Sequence, residues 1–182
     1  MRAIPTAIPD VLLVESSVFS DERGFFTEVY HAEKFATLGL PTAFAQDNHS
    51  RSIRGTIRGL HYQTQRPQGK LVRVTSGRIY DVAVDLRRSS PTFSQYVGVD
   101  LEAGDGRQLW IPPGFGHGFL VLSDGADVSY KCTTTYDAIS DRSLLWNDEQ
   151  LRIEWPLDLT VAPRLSHKDV AAPPLAVAEL FA

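Results

Sequence analysis

The stretch from Gly55 to Gly77, GTIRGLHYQTQRPQGKLVRVTSG, constrains this chain more than any other, because a strand-like run is punctuated by a histidine, a glutamine and a lysine at fixed distances between two glycines. His61 follows Gly55 after five residues, Gln63 stands two positions further on, and Lys70 falls six residues short of Gly77. A neutral amide is a poor metal ligand and an ammonium repels a divalent cation, so a site built from His61, Gln63 and Lys70 is expected to hold no metal. What remains is a base and a fixed cation. An imidazole can remove a proton, and a lysine on a rigid strand can stabilise the oxyanion that proton loss creates, a pairing suited to enolisation. Taken singly, His61 also reads as a satisfied barrel histidine and Lys70 as an exposed strand lysine.

The spacing resembles the first motif of the cupins, whose metal-binding members carry a second histidine where Gln63 stands and a carboxylate where Lys70 stands. A second stretch, GRQLWIPPGFGHGFLVL, resembles the second cupin motif: Gly106, then Pro112 after five residues, then Gly114 and His117, with Val121 in place of the usual final asparagine. Its proline-glycine turn reverses the chain and delivers His117 at the start of the next strand, beside the residues of the first motif. The fold expected is all-β, a double-stranded β-helix or jelly roll with a few short helices. Residues 1–182 are expected to form a single domain with an N-terminal arm and a short C-terminal helical tail.

Composition narrows the function classes. At 182 residues with 43% hydrophobic and 22% charged side chains, the chain can bury a sizeable core and is not of a disordered type. A net charge of −4 offers no basic stripe for a phosphate backbone, which argues against a nucleic-acid partner but leaves an individual nucleotide open. Cys132 is the only cysteine, so no intrachain disulfide can form. No apolar run approaches a membrane span, and MRAIPTAIPDVLLVESS, interrupted by Pro5, Pro9 and Asp10, is unlike a signal peptide. The expected location is the cytoplasm, with no membrane partner.

Along the chain, residues 3–19 read as an irregular arm leading into an edge strand, and Asp21 to Tyr30 as a glycine turn feeding a short aromatic strand. Ala32, Phe35 and Leu38 fall at helical spacing before Gly39. Gln46-Asp47-Asn48-His49-Ser50 reads as a polar surface loop whose amides could also read a base. From Arg78 to Leu86 the alternation predicts a strand with one buried face, Tyr80, Val82, Val84 and Leu86, and Asp81 and Asp85 on the other. In DVSYKCTTTY, Tyr130, Cys132, Thr134 and Tyr136 share a face that can line a pocket, and a phenol there could donate a proton. Trp146 and Trp155 are expected to anchor a surface segment on the barrel wall. Asp169, in the polar loop before the tail, could orient an imidazole or cap a helix. The LAVAELF tail must dock if it is helical.

Laid side by side, these pieces resemble the dTDP-4-dehydrorhamnose 3,5-epimerase family over nearly the whole chain. The matching segments include Asp21-Glu22-Arg23-Gly24-Phe25-Phe26, Gln46-Asp47-Asn48, Arg58-Gly59-Leu60-His61, Gly114-Phe115-Gly116-His117, Tyr130-Lys131 and Leu165-Ser166-His167-Lys168-Asp169. The resemblance implies a homodimer without metal or cofactor, in which an arm of each protomer reaches the other's site, and a dTDP-linked 4-keto-6-deoxyhexose as substrate. It implies His61 as base with Asp169 as its partner, Tyr130 as proton donor and Lys70 as the enolate-stabilising cation. Arg23, Glu28, Gln46, Asp47, Asn48, Arg58, Gln63, His117, Tyr136 and Lys168 are implied as substrate contacts. Asp141 stands where the family tends to place a glutamate. The reaction implied is epimerisation at C3 and C5 of dTDP-4-dehydro-6-deoxy-D-glucose. Rival readings are a single-site epimerase or ketoisomerase of a related keto sugar, a non-catalytic nucleotide-sugar-binding cupin, and a metal-dependent cupin oxygenase.

Overall fold

A computed structural model describes residues 1–182. In chain order the strands are β1 (Arg2–Pro5), β2 (Leu12–Glu15), β3 (Val18–Asp21), β4 (Gly24–Thr27), β5 (Gln46–Ile53), β6 (Ile57–Gln63), β7 (Lys70–Ser76), β8 (Arg78–Asp85), β9 (Tyr96–Glu102), β10 (Arg107–Ile111), β11 (Phe115–Val121), β12 (Gly125–Cys132) and β13 (Asp141–Ser143). Two short helices complete the chain, α1 (Ala32–Thr37) and α2 (His167–Val170). The strands form a six-stranded sheet in the order β1-β2-β10-β7-β12-β5 and a five-stranded sheet in the order β13-β6-β11-β8-β9, while β3 and β4 make a separate hairpin. Neighbouring strands pair antiparallel throughout. This is the expected all-β jelly roll. No helix is long and apolar enough to cross a membrane.

Three apolar layers hold it together. Between the sheets, Val72 and Val74 of β7, Leu109 and Ile111 of β10 and Val128 of β12 pack against Ile79 and Ala83 of β8, Val97 and Leu101 of β9 and Phe115 and Phe119 of β11. On the outer face of the five-stranded sheet, Leu60, Tyr62, Val82, Val84 and Leu120 are covered by Leu144, Leu151, Trp155 and Leu175 from the C-terminal third. On the outer face of the other sheet, Phe35 of α1 packs with Val14, Leu71 and Trp110. Each such aliphatic side chain, fully buried, contributes about 1.5–3 kcal/mol.

The C-terminal cover changes how β8 must be read. Tyr80, Val82 and Val84 face it as the alternation predicts, but Asp81 and Asp85 on the opposite face are fully buried too, because that face is the barrel interior. Interior carboxylates need hydrogen-bonded partners. Asp85 receives the Arg87 guanidinium and the Ser90 and Thr92 hydroxyls. Burial opposes its ionisation, but those hydrogen bonds outweigh it and bring its pKa down to about 2.

Other expectations are corrected. Residues 46–50 are not a loop but the start of edge strand β5, paired in register with β12 from Gln46 opposite Cys132 to Ile53 opposite Gly125. Residues 3–19 hold parts of three strands rather than one. The tail is not helical after α2: residues 175–181 run as turns with a bridge from Phe181 to Arg87, docked through Leu175 and Ala178. The expected helix after His31 is α1, and Trp146 and Trp155 pack edge to face on the barrel wall as anticipated.

Candidate active site

The largest cavity, about 480 Å³, opens between the sheets at one end of the barrel. Its catalytic-type residues come from both walls. On the five-stranded sheet, β6 carries His61 and Gln63, and β11 carries His117 directly opposite His61 in register. The two strands can approach this closely because Gly59 has φ +115° and a Cβ there would meet the Gly118 Cα and the His117 carbonyl oxygen at 2.5 Å. Beyond that contact, Leu60 and Tyr62 turn into the outer apolar layer, which leaves the alternate residues His61 and Gln63 facing inward.

Asp169 stands behind His61. Its Oδ1 lies 2.5 Å from His61 Nε2, and its Oδ2 accepts the Ser166 hydroxyl at 2.6 Å. Ser166 also caps α2 by accepting from the Asp169 backbone N–H, so Asp169 both belongs to a helix cap and orients the imidazole. Burial pushes the Asp169 carboxyl upward, but the His61 and Ser166 hydrogen bonds prevail and hold it below the usual carboxylate range. An ionised carboxylate only accepts, so His61 carries its proton on Nε2 and presents the Nδ1 lone pair to the cavity.

The facing wall is the six-stranded sheet. Lys70 of β7 and Tyr130 of β12 reach the cavity, together with Gln46, Asn48 and Ser50 of β5. Lys70 is buried, not the exposed strand lysine that it could have been, and its Nζ donates to the His61 carbonyl at 3.2 Å. Burial lowers its pKa. The Tyr130 ring stands edge-on to His117, with centroids 6.3 Å apart. Burial raises the phenol's pKa, a push that Arg58 opposes only in part.

Cations gather at the rim. Arg58 donates to Ser52 Oγ at 2.9 Å and to the Arg51 carbonyl at 3.5 Å, neither of them a carboxylate. Lys168 is paired with Asp141, whose same oxygen accepts the Tyr136 hydroxyl at 3.1 Å. Gln46 accepts from the Tyr136 backbone N–H at 2.7 Å and donates to Asn48, which fixes the loop bearing Tyr136 to β5.

Three expected contacts are placed elsewhere, and a fourth, Gln63, lines the cavity with its polar atoms already engaged. Arg23 sits at the tip of the β3–β4 hairpin, paired with Asp21. Glu28 pairs with Lys34. Asp47 points to the opposite face of β5 from Gln46 and Asn48 and pairs with Lys131, because strand alternation forbids all three from facing one way. Gln63 does line the cavity, but its amide donates to the Arg66 carbonyl and accepts from the Asp137 N–H, so its polar atoms are committed to the loop. Conversely, Ser50, Gln68 and Phe119 line the cavity without having been singled out, and Asp81, 2.7 Å from His117 Nε2, was read only as one side of an amphipathic strand. Once the odd-numbered face of β8 is known to point inward, that residue is found by parity alone.

The family model described as dTDP-4-dehydrorhamnose 3,5-epimerase matches residues 5–177. A protein of that name from Pseudomonas aeruginosa is 53% identical over 182 residues, 100% of this chain and 99% of the relative. Among solved structures, a dTDP-6-deoxy-D-glucose-3,5-epimerase from Legionella pneumophila in complex with dTDP-4-keto-L-rhamnose superposes with a TM-score of 0.93 at 49% identity, covering 98% of this chain and 94% of that one. A 3'-monoepimerase from Streptomyces bikiniensis in complex with dTDP-quinovose is also similar, with a TM-score of 0.88 at 34% identity, covering 97% of this chain and 88% of that one.

Proposed function

The chain belongs to the dTDP-4-dehydrorhamnose 3,5-epimerase family, and from that premise we propose how its cavity carries out the isomerisation, residue by residue. The substrate is a nucleotide sugar, dTDP-4-dehydro-6-deoxy-D-glucose, and the product dTDP-4-dehydro-L-rhamnose. The C4 ketone acidifies the protons on C3 and C5. His61 Nδ1 takes one of them, while Asp169 stabilises the imidazolium that forms. The electron pair moves onto the C4 oxygen, where the buried Lys70 ammonium meets the developing charge. Tyr130 then returns a proton to the opposite face of the ring, which inverts that carbon. Solvent then takes the proton from His61 and returns one to Tyr130, and the cycle repeats at the second carbon.

The reading rests on one observation: His61 and Tyr130 project from opposite sheets into the same cavity. A ring lying between them meets a base on one face and an acid on the other. At the rim, Arg58 and Lys168 suit the diphosphate, and Tyr136 suits the flat face of the base.

The working unit proposed is a homodimer. Its support is the β3–β4 hairpin, where Phe19, Phe25 and Phe26 are each at least 60% exposed and Arg23 pairs with Asp21 instead of lining its own cavity. A projecting hairpin of this kind suits insertion beside a second copy, where Arg23 can supply the charge that the rim lacks. The reaction is placed in the cytoplasm, in keeping with the lone buried Cys132.

The test is incubation with dTDP-4-keto-6-deoxyglucose in deuterated water. Label at both C3 and C5 is the expected result. Label at one carbon would make this a single-site epimerase, and label at neither would overturn the catalytic reading.

A further inference from the structure

A second carboxylate-imidazole pair lies inside the barrel, and the reaction described above leaves it without a role. His117 Nε2 is 2.7 Å from Asp81 Oδ1, with His117 6% exposed and Asp81 fully buried. The other Asp81 oxygen, Oδ2, is buried without any partner in the protein. Both residues stand on adjacent strands of the five-stranded sheet, with Asp81 opposite Phe119 in register, and His117 lines the cavity next to His61 while Asp81 lies beneath the wall. This places His117 beside His61, the base proposed to act on the sugar ring.

The protonation follows from the geometry. A carboxylate only accepts hydrogen bonds, so the proton of this contact is on His117 Nε2. Desolvation by burial keeps the ring neutral, against the attraction of Asp81 and together with the repulsion of the nearby Lys70. A neutral imidazole protonated at Nε2 has its lone pair on Nδ1, and no protein group donates to that atom.

We infer that Asp81 is a positioning residue that fixes His117 as the Nε2–H tautomer, so that Nδ1 accepts a hydrogen bond from a hydroxyl of the substrate's hexose ring. His117 is then a sugar reader, not a phosphate cation. This inference rests on the nucleotide-sugar reading of the cavity, and it adds which part of the ligand His117 recognises and which residue sets that preference.

Two measurements decide it. In long-range proton-nitrogen spectra of histidine-labelled protein near neutral pH, with the His117 signals assigned by their loss in His117→Gln, Nε2 should carry the proton and Nδ1 none. A ring protonated at Nδ1, or at both nitrogens, overturns the inference, and this measurement needs no Asp81 variant to fold. In calorimetric titrations, Asp81→Asn should weaken binding of dTDP-glucose about tenfold and leave binding of dTDP unchanged. Equal weakening of both ligands, or of neither, also overturns it. Absence of deuterium label at both carbons would sink the epimerase reading on separate grounds, because tautomer and binding are read without turnover.

Discussion

The Nε2 atom of His61 lies 2.5 Å from Oδ1 of Asp169, and the second oxygen of that carboxylate is held by the Ser166 hydroxyl. The pair fixes both the tautomer and the ring plane of the proposed base. Asp169→Asn keeps the volume but allows the amide to donate where the carboxylate could only accept, which favours the wrong tautomer of His61. Turnover should fall by about 10²–10⁴-fold with little change in substrate affinity. The check is deuterium exchange at C3 and C5 beside a calorimetric binding titration, and a variant that exchanges at the wild-type rate would remove Asp169 from the mechanism.

Lys70 sets function against stability. Its ammonium is buried beside the His61 carbonyl with no carboxylate partner, an arrangement that costs free energy in the folded state. Lys70→Met should therefore raise the thermal midpoint, by about 2–4 °C for each kcal/mol recovered, while lowering turnover about 10²–10³-fold. The pH dependence has a definite sign. Because burial lowers the pKa in the folded chain, the unfolded chain binds more protons between that lowered value and the ordinary 10.5. Wild-type stability gains from this residue as pH rises through the window, and Lys70→Met loses that gain. Urea midpoints of both proteins across alkaline pH measure it; parallel curves would contradict the burial argument.

How far the sequence carried the site depends on which physical rule each residue obeys. His61, Lys70 and His117 were legible because glycine and proline punctuation fixes where strands begin, and strand parity then aims the side chains. Asp169 was legible only as a pair of alternatives, and the structure realises the first: Ser166, not Asp169, is the N-cap of α2, and the Asp169 carboxylate takes His61 on one oxygen and the Ser166 hydroxyl on the other. Asp81 was hidden because a half-buried strand was assumed, and nothing local tells a chain that a C-terminal segment more than 60 residues later, through Leu144, Leu151 and Trp155, will cover the outer face of β8. Gln46–Ser50 looked like a loop because its side chains are polar on both faces, one set lining a wet cavity and the other facing solvent. Amphipathic patterning cannot report a strand with water on both sides.

Tyr130 faces His61 across the cavity, and burial raises its pKa, so the phenol stays protonated through neutral and mildly alkaline pH. Tyr130→Phe removes the donor without changing the shape of the wall. Proton removal by His61 should persist, so solvent deuterium should still enter the substrate from the base side, while formation of the inverted product drops about 10²-fold or more. Chromatographic product analysis with mass detection of the recovered substrate separates the two steps. An equal fall in exchange and inversion would show that Tyr130 does not act as the opposing acid.

The hairpin that carries Arg23 offers a test of the dimer that needs no structure of the assembly. If Arg23 of one protomer completes the cavity of the other, Arg23→Ala and His61→Ala proteins should each be inactive alone, the first for want of a diphosphate cation and the second for want of a base. Mixed under conditions that let protomers exchange, they should regain activity. In a mixed dimer one cavity combines an intact His61 with the partner's intact Arg23, and random pairing makes roughly a quarter of all sites of this kind. Recovery close to that level, together with a dimer mass by light scattering that falls to the monomer in Phe26→Asp, is the expected outcome. A mixture that stays inactive while protomers exchange would place Arg23 outside the partner's site.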